Sequence, residues 1–506
     1  MTAPPKEKSS RRRIRRSVPS DAVLYFGILC AVVVFLSHGL LIDLPYHWDE
    51  LRTYVPATFH LFRQGEWPHA QPPGLILYLA AMWKLFWPGI WVTRAAMLLA
   101  GTFALLAAFL LGIELCAYVE GFPALLGILF LAASPLFFSQ TLLAQPEVPA
   151  MLLTCLGLYF FIRERMAWAA AACLLLVLTK ETGVALPLVL AAWLAWERRY
   201  RTTVIFLAPA LAGAGLALWA HLVTVPRATH AAVALAHYLF FLFIEQGHLL
   251  AWIGVAVAAW SGVFHHRRWK VAGVFALAHI VAVTALGGPI SERAMLPVLP
   301  LLYMAAAAGF VSVPLRIRAI LAGGLAALLV MSLFWHPPFW PYPYENNLAM
   351  VDFVRLQQQV AAHLEQNHSG QVVTTAWPLS SALSQTEFGY VRDAFPVDPE
   401  LNFSAAGFLA RPKGSVRLFV LYSRDWDPPP QVLSSRVGRW LSKRELGYGD
   451  PLTGHDLEEK LGLQLVQRIG RSGAWAEIYT LPRPAISTPG TNSNNRPSMP
   501  AATARP

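Results

Sequence analysis

The sequence predicts an all-α polytopic membrane protein of about 11 transmembrane helices, with a small C-terminal α/β extracytoplasmic domain. Three observations predict it. Apolar residues fill 56% of 506 positions, with 18 Trp and 28 Phe, and mean hydropathy is +0.46. Apolar runs near the length of a membrane span follow one another from residue 22 to about residue 335. The basic residues lie in short clusters between those runs. Lys and Arg (40) outnumber Asp and Glu (29), a balance that in a soluble chain would suggest nucleic acid. Spread between apolar runs, they instead follow the positive-inside pattern of cytoplasmic loops, so membrane lipids are the expected surroundings and nucleic acid is not a partner.

Residues 1–21 form a basic tail carrying Arg11, Arg12, Arg13, Arg15 and Arg16. The apolar run behind it is about a full span long, and no small-residue cleavage site follows it. A retained anchor with a cytoplasmic N-terminus is therefore preferred to a cleaved signal peptide. The spans are expected at about 22–42, 91–115, 119–138, 147–162, 166–180, 182–197, 203–220, 246–264, 270–287, 294–312 and 318–335. Threaded from the inside, Arg163/Arg165, Arg198/Arg199/Arg201, Arg267/Arg268/Lys270 and Arg316/Arg318 all fall on the cytoplasmic side. The odd count leaves the C-terminal region outside. Residues 73–88 are short, begin Pro-Pro and contain Lys84. Counting them as a span would put every Arg cluster outside, so they are expected to lie on the outer face, with Trp83 and Trp87 at headgroup level. An ordinary short span is the alternative. Cys30, Cys116, Cys155 and Cys173 all sit inside apolar runs and read as small core residues.

The membrane part thus covers 22–336, with an outer loop over 43–90. From 337 to 482 the texture changes. Residues 350–366 carry apolar positions at helical spacing, and 371–376, 416–422, 463–469 and 474–481 read as strands, the last two joined by Gly470-Arg471-Ser472-Gly473. Residues 483–506 are rich in Pro, Ser and Asn and are expected to be disordered.

Carboxylates are scarce in this chain and costly near lipid, so Trp48-Asp49-Glu50 at the end of the first span reads as a site. A carboxylate at the membrane boundary can serve as general base to a hydroxyl, and a neighbouring acid can orient it or share a divalent cation. The bland alternative is a solvated pair opening a helix. Glu147, after Gln145-Pro146, falls on the same side, where it is equally readable as a first-turn acid. Arg94, Lys180 and Arg293 place positive charge on the face where the inside rule disfavours it. An anionic ligand explains them, since Lys and Arg clamp phosphates; snorkelling, or local pairs with Glu181 and Glu292, are the competing accounts. His47, His60 and His69 share the first outer loop without the spacing of a helical zinc pair. No Walker loop, GxGxxG or GxSxG element is present.

The order Trp48-Asp49-Glu50…Tyr54, Gln71-Pro72-Pro73-Gly74, Arg94, Pro146-Glu147, Thr179-Lys180 and Arg293…Pro297…Pro300 resembles the GT-C glycosyltransferases. It is most similar to the branch of protein mannosyltransferases and lipid A aminoarabinose transferases, including bacterial members that modify lipopolysaccharide cores. The likeness covers roughly 22–312. It implies an inverting transfer of a sugar from a polyprenyl-phosphate donor to a glycan, lipid or protein acceptor, on the outer face of the cytoplasmic membrane. By that resemblance Asp49 is the base, with Glu50 beside it. Glu50 and Glu147 are the candidate holders of a divalent metal ion, and Arg94, Lys180 and Arg293 meet the departing phosphate. Tyr54, His69, Gln71 and Lys84 would line the loop for donor or acceptor. Gln71 stands where relatives carry His or Lys, so His69 or Lys84 is the expected substitute. A flippase of lipid-linked sugars and a non-catalytic envelope assembly protein are the rival functions. A flippase calls for half-to-half repeat symmetry, which the sequence does not display.

Overall fold

The computed structural model describes residues 20–67, 71–223, 231–286, 290–335, 346–400, 403, 411–424, 430–445, 448–449 and 451–482. Residues 1–19, His69 and the 483–506 tail therefore lie outside the described residues. The chain is mainly helical, as its apolar runs require. Four helices are long and apolar enough to cross a membrane: Asp21–Leu41, Ile90–Leu115, Arg267–Leu286 and Leu315–Ser332. Two bent pairs pass the same test together: Pro123–Ala133 with Pro135–Leu142, broken by 63°, and Ala231–Phe243 with Glu245–Trp260, broken by 49°. Six further apolar helices are shorter. Among the described residues, length thus gives four to six spans where about 11 were expected.

The reason is visible in the short helices. Glu147–Ile162 and Met166–Thr179 rise only about 24 and 21 Å, against a hydrocarbon core of about 30 Å. Each stops at a charged residue, Glu147 at the start of one and Lys180 just past the end of the other. Ile90–Leu115 is the central helix, packed along Glu147–Ile162 and against Pro123–Ala133. At the far end of these helices the predicted loop cations gather on carboxylates. Glu114 takes Arg163 and Arg268, each at 2.8 Å; Glu164 takes Arg199 at 2.8 Å; and Glu197 takes Arg267 at 2.5 Å. Glu147 and Arg163 stand at opposite ends of one helix, so this basic end is opposite to Lys180 and Glu147.

Residues 73–88 do form a short helix, Gly74–Leu85. Leu75, Ile76, Leu79 and Trp83 lie at helical spacing and are all buried. Trp83 faces the protein rather than its surroundings: it packs on Phe59, and its Nε1 donates to Thr93 Oγ1 at 2.9 Å. Trp87 is exposed and stacks on Trp91.

The C-terminal residues build a five-stranded mixed sheet in the order β2-β1-β3-β5-β4. Its strands are β1 (Val373–Ala376), β2 (Val397–Glu400), β3 (Leu418–Tyr422), β4 (Gln464–Arg471) and β5 (Ala474–Thr480). β1 runs parallel to β2 and β3, while β5 is antiparallel to β3 and β4. The β4–β5 turn has Ser472 and Gly473 both at positive φ, as a tight hairpin requires. Helix Ala349–Asn367 covers β4 and β5. β2 was not foreseen because Pro399 interrupts its pattern; it lies at the sheet edge, where a proline is tolerated.

Candidate active site

The site starts at a turn. Trp48 sits at φ 55°, an outlier for a bulky side chain. It leads into a single π turn, Glu50–Tyr54, a feature that often marks functional positions. The turn sends the two adjacent carboxylates to different partners.

Glu50 goes inward. It is fully buried and paired in two-pronged fashion with Arg94, Oε1 to Nη1 at 2.5 Å and Oε2 to Nη2 at 3.0 Å. Its oxygens also accept the N–H groups of Ala144 (2.6 Å) and His47 (2.8 Å). Arg94 donates besides to the carbonyls of Leu44, Pro45 and Leu142. A buried pair this fully hydrogen-bonded ties three chain segments together. Arg94 is thus committed to Glu50 and to carbonyls, which differs from its expected place at a phosphate.

Asp49 goes the other way, to Arg293, whose Nη2 donates to Oδ2. Arg293 Nε lies 3.4 Å from Glu147 Oε1, and Lys180 Nζ donates to that same oxygen at 2.9 Å. Asp49, Arg293, Glu147 and Lys180 therefore form one row of alternating charge. Glu147, Lys180 and Arg293 are buried, while the Asp49 side chain keeps 26% of its surface exposed and is the open end of the row. Glu147 Oε2 has no hydrogen-bond partner among the described residues.

Local sequence explains each position. Pro146 precedes Glu147 at a helix start, and Lys180 follows a helix end; each charge suits the dipole there. Gly74, after Pro72-Pro73, abuts the Thr179-Lys180 turn so closely that a Cβ on it would lie 2.6 Å from Thr179 Oγ1 and 2.8 Å from the Leu178 carbonyl. Arg293 sits in the short turn Glu292–Met295. Glu292 holds that turn from behind, 2.5 Å from His237 Nε2 and accepting from Asn346 Nδ2 at 2.6 Å. No sequence pattern pointed to His237 or Asn346, which are far from Glu292 along the chain.

Tyr54 lies near the row. Burial, with the carboxylates of Glu147, Glu181 and Asp49, holds its phenol well above the usual range despite the opposing Arg293, so it stays neutral. Gln71 is half-buried beside the Pro-Pro pair, and Lys84 is exposed at the end of its helix.

Glu50 and Glu147 do not come together as metal ligands. Glu50 is saturated by Arg94 and two amides, and Glu147 Oε1 is shared by two cations. Among the described residues no three His, Cys, Asp or Glu side chains gather as a cation would need. The expected metal pair does not fit this arrangement, because each acid already has a cationic side chain for its partner.

No family matches the sequence, and no curated protein matches it either. Solved structures do match in fold. ArnT from Cupriavidus metallidurans in the apo state superposes with a TM-score of 0.53 at 15% identity, covering 90% of this chain and 98% of that one. The same protein bound to undecaprenyl phosphate gives 0.50 at 14% identity, covering 91% and 98%.

Proposed function

We propose, from the GT-C superfamily fold that this chain has, that it is a membrane glycosyltransferase moving a sugar from a polyprenyl-phosphate carrier to an acceptor hydroxyl. The observation that carries the reading is the charge row, with a half-open carboxylate at one end and two cations behind it. Asp49 takes the proton from the acceptor hydroxyl. The acceptor oxygen then bonds to the anomeric carbon, the bond from that carbon to the phosphate oxygen breaks, and the electron pair leaves with the polyprenyl phosphate. Arg293 and Lys180 meet the charge that grows on the phosphate, where fixed cations stabilise a transition state most. Glu147 holds both cations in place. Glu50 and Arg94 act through position, anchoring the turn that presents Asp49. The lipid tail lies among the apolar helices and supplies binding energy remote from the reacting carbon. The transfer takes place on the extracytoplasmic face of the cell membrane, opposite the ring of Arg–Glu pairs.

The test is Asp49→Asn, expressed to wild-type level and assayed for sugar transfer in isolated membranes. Removal of a general base lowers turnover by about 10²- to 10⁴-fold. Transfer at the wild-type rate removes Asp49 from the role.

A further inference from the structure

Trp48 and Trp377 meet edge to face, their ring centroids 4.6 Å apart and their planes at 62°. Trp48 adjoins Asp49 in the outer loop, whereas Trp377 directly follows β1 of the C-terminal sheet. Both are only partly buried. The contact is no accident of a loose fit, because the surrounding seam is pinned. Tyr46 N–H donates to Phe388 O at 3.2 Å, Tyr390 OH donates to Tyr46 O at 2.9 Å, and Arg63 pairs with Glu387 at 2.8 Å.

Three polar atoms at this seam lack a hydrogen-bond partner among the described residues: both ring nitrogens of His47, and Trp377 Nε1. His47 is fully buried, its ring 5.5 Å from Trp48 and 5.8 Å from Phe353 of the C-terminal helix. An unpartnered buried polar group costs about 1–3 kcal/mol. Such groups call for an explanation, and a ligand that supplies the missing partners is one. The strained backbone of Trp48 belongs to the same pattern, since φ outliers cluster at binding sites. Indole rings beside unpartnered hydrogen-bonding atoms suit a sugar, which offers an apolar C–H face and a rim of hydroxyls. A lipid chain would leave the three polar atoms unanswered. The phosphate-facing cations lie in turns at the ends of the apolar helices, whereas Trp377 follows a strand of the C-terminal sheet, so the platform is assigned to the other substrate.

We infer that Trp48 and Trp377 form the platform on which a sugar ring of the acceptor stacks, with His47 and Trp377 Nε1 bonding its hydroxyls. The C-terminal unit then takes part in acceptor choice, and the acceptor is a glycan or glycolipid. The inference rests on the glycosyltransferase reading. Its test uses the full chain in nanodiscs, with an array of immobilised oligosaccharides as one probe and undecaprenyl phosphate as the other. Wild type and Asp49→Asn are expected to retain a common set of glycans. Trp377→Ala weakens that retention by about tenfold, worth about 1.4 kcal/mol, and leaves undecaprenyl phosphate binding as it was. Equal retention by Trp377→Ala, or no glycan held by the wild type, overturns the platform. Where Trp377→Ala also loses undecaprenyl phosphate, Trp377→Leu, which keeps apolar bulk and removes the ring, decides on the same two readouts. Unchanged transfer by Asp49→Asn would sink the catalytic reading while leaving glycan retention intact, so the two failures are distinguishable.

Discussion

Arg293 Nη2 donates to Asp49 Oδ2 across 244 positions of sequence, joining the loop after the first helix to the turn before a late helix. The guanidinium proposed to meet the donor phosphate is therefore the one that holds the proposed base. On that proposal, a phosphate arriving at Arg293 would compete with Asp49 and free its carboxylate for the acceptor. Asp49→Asn removes the competitor and is expected to tighten undecaprenyl phosphate binding, while Arg293→Ala weakens it by about tenfold or more. Titration of both variants checks this. An Asp49→Asn protein that binds no tighter than wild type rules the competition out.

The Glu50–Arg94 pair is expected to matter for stability before chemistry. Arg94→Met leaves a buried carboxylate without its cation, costing about 3–5 kcal/mol. Glu50→Leu combined with Arg94→Met should cost less than either change alone, because no lone charge remains. Thermal unfolding of the detergent-solubilised proteins separates these outcomes. A double variant no better than both singles would show that the carbonyl contacts of Arg94 carry the effect.

Gly74→Ala pushes a methyl group against Thr179 Oγ1 and the Leu178 backbone. Backbone cannot yield as a flexible side chain does, so a cost of about 1–3 kcal/mol is expected. The displaced Thr179-Lys180 turn should also weaken undecaprenyl phosphate binding. Wild-type affinity in this variant would mean that the turn does not set the position of Lys180.

His47 supplies a pH dependence. Burial, reinforced by the charge of Arg94, pushes its imidazole down to about 3, so it folds neutral. The unfolded chain binds a proton near pH 6.5 and the folded one does not. Stability from this group is thus fully present above about pH 6.5 and is lost as pH falls towards 3, about 2 kcal/mol by pH 5. His47→Gln should flatten the acid limb of Tm against pH. An unchanged limb would assign the acid sensitivity to other groups.

Much of the site was legible because charge is expensive in an apolar chain. Asp49, Glu147, Lys180 and Arg293 stood out from the sequence, and the structure joins them in one row. Arg94 stood out for the same reason, yet its partner is Glu50, and the choice between a ligand and an internal acid depends on fold. Period-2 and helical patterns located four of the five strands and the helix Ala349–Asn367. The membrane helices were harder. Hydropathy gives the length of an apolar run, but not the break at Ser134 or the reversal at Gln246, where φ turns positive. Nothing local could announce Tyr390 on Tyr46 or Trp377 on Trp48, since each contact joins segments more than 300 residues apart.

The left-handed residue at Trp48 has a consequence for how this loop can change over time. Surface loops ordinarily accept added or lost residues more readily than the elements they connect. Here spacing is chemistry: Asp49 faces Arg293 and Glu50 faces Arg94 only because the reversal falls immediately before them. One residue inserted or deleted between Tyr46 and Glu50 would bring the wrong carboxylate to the buried arginine. Length variation is therefore expected beyond Gln64 or among the C-terminal loops, and not in this five-residue stretch.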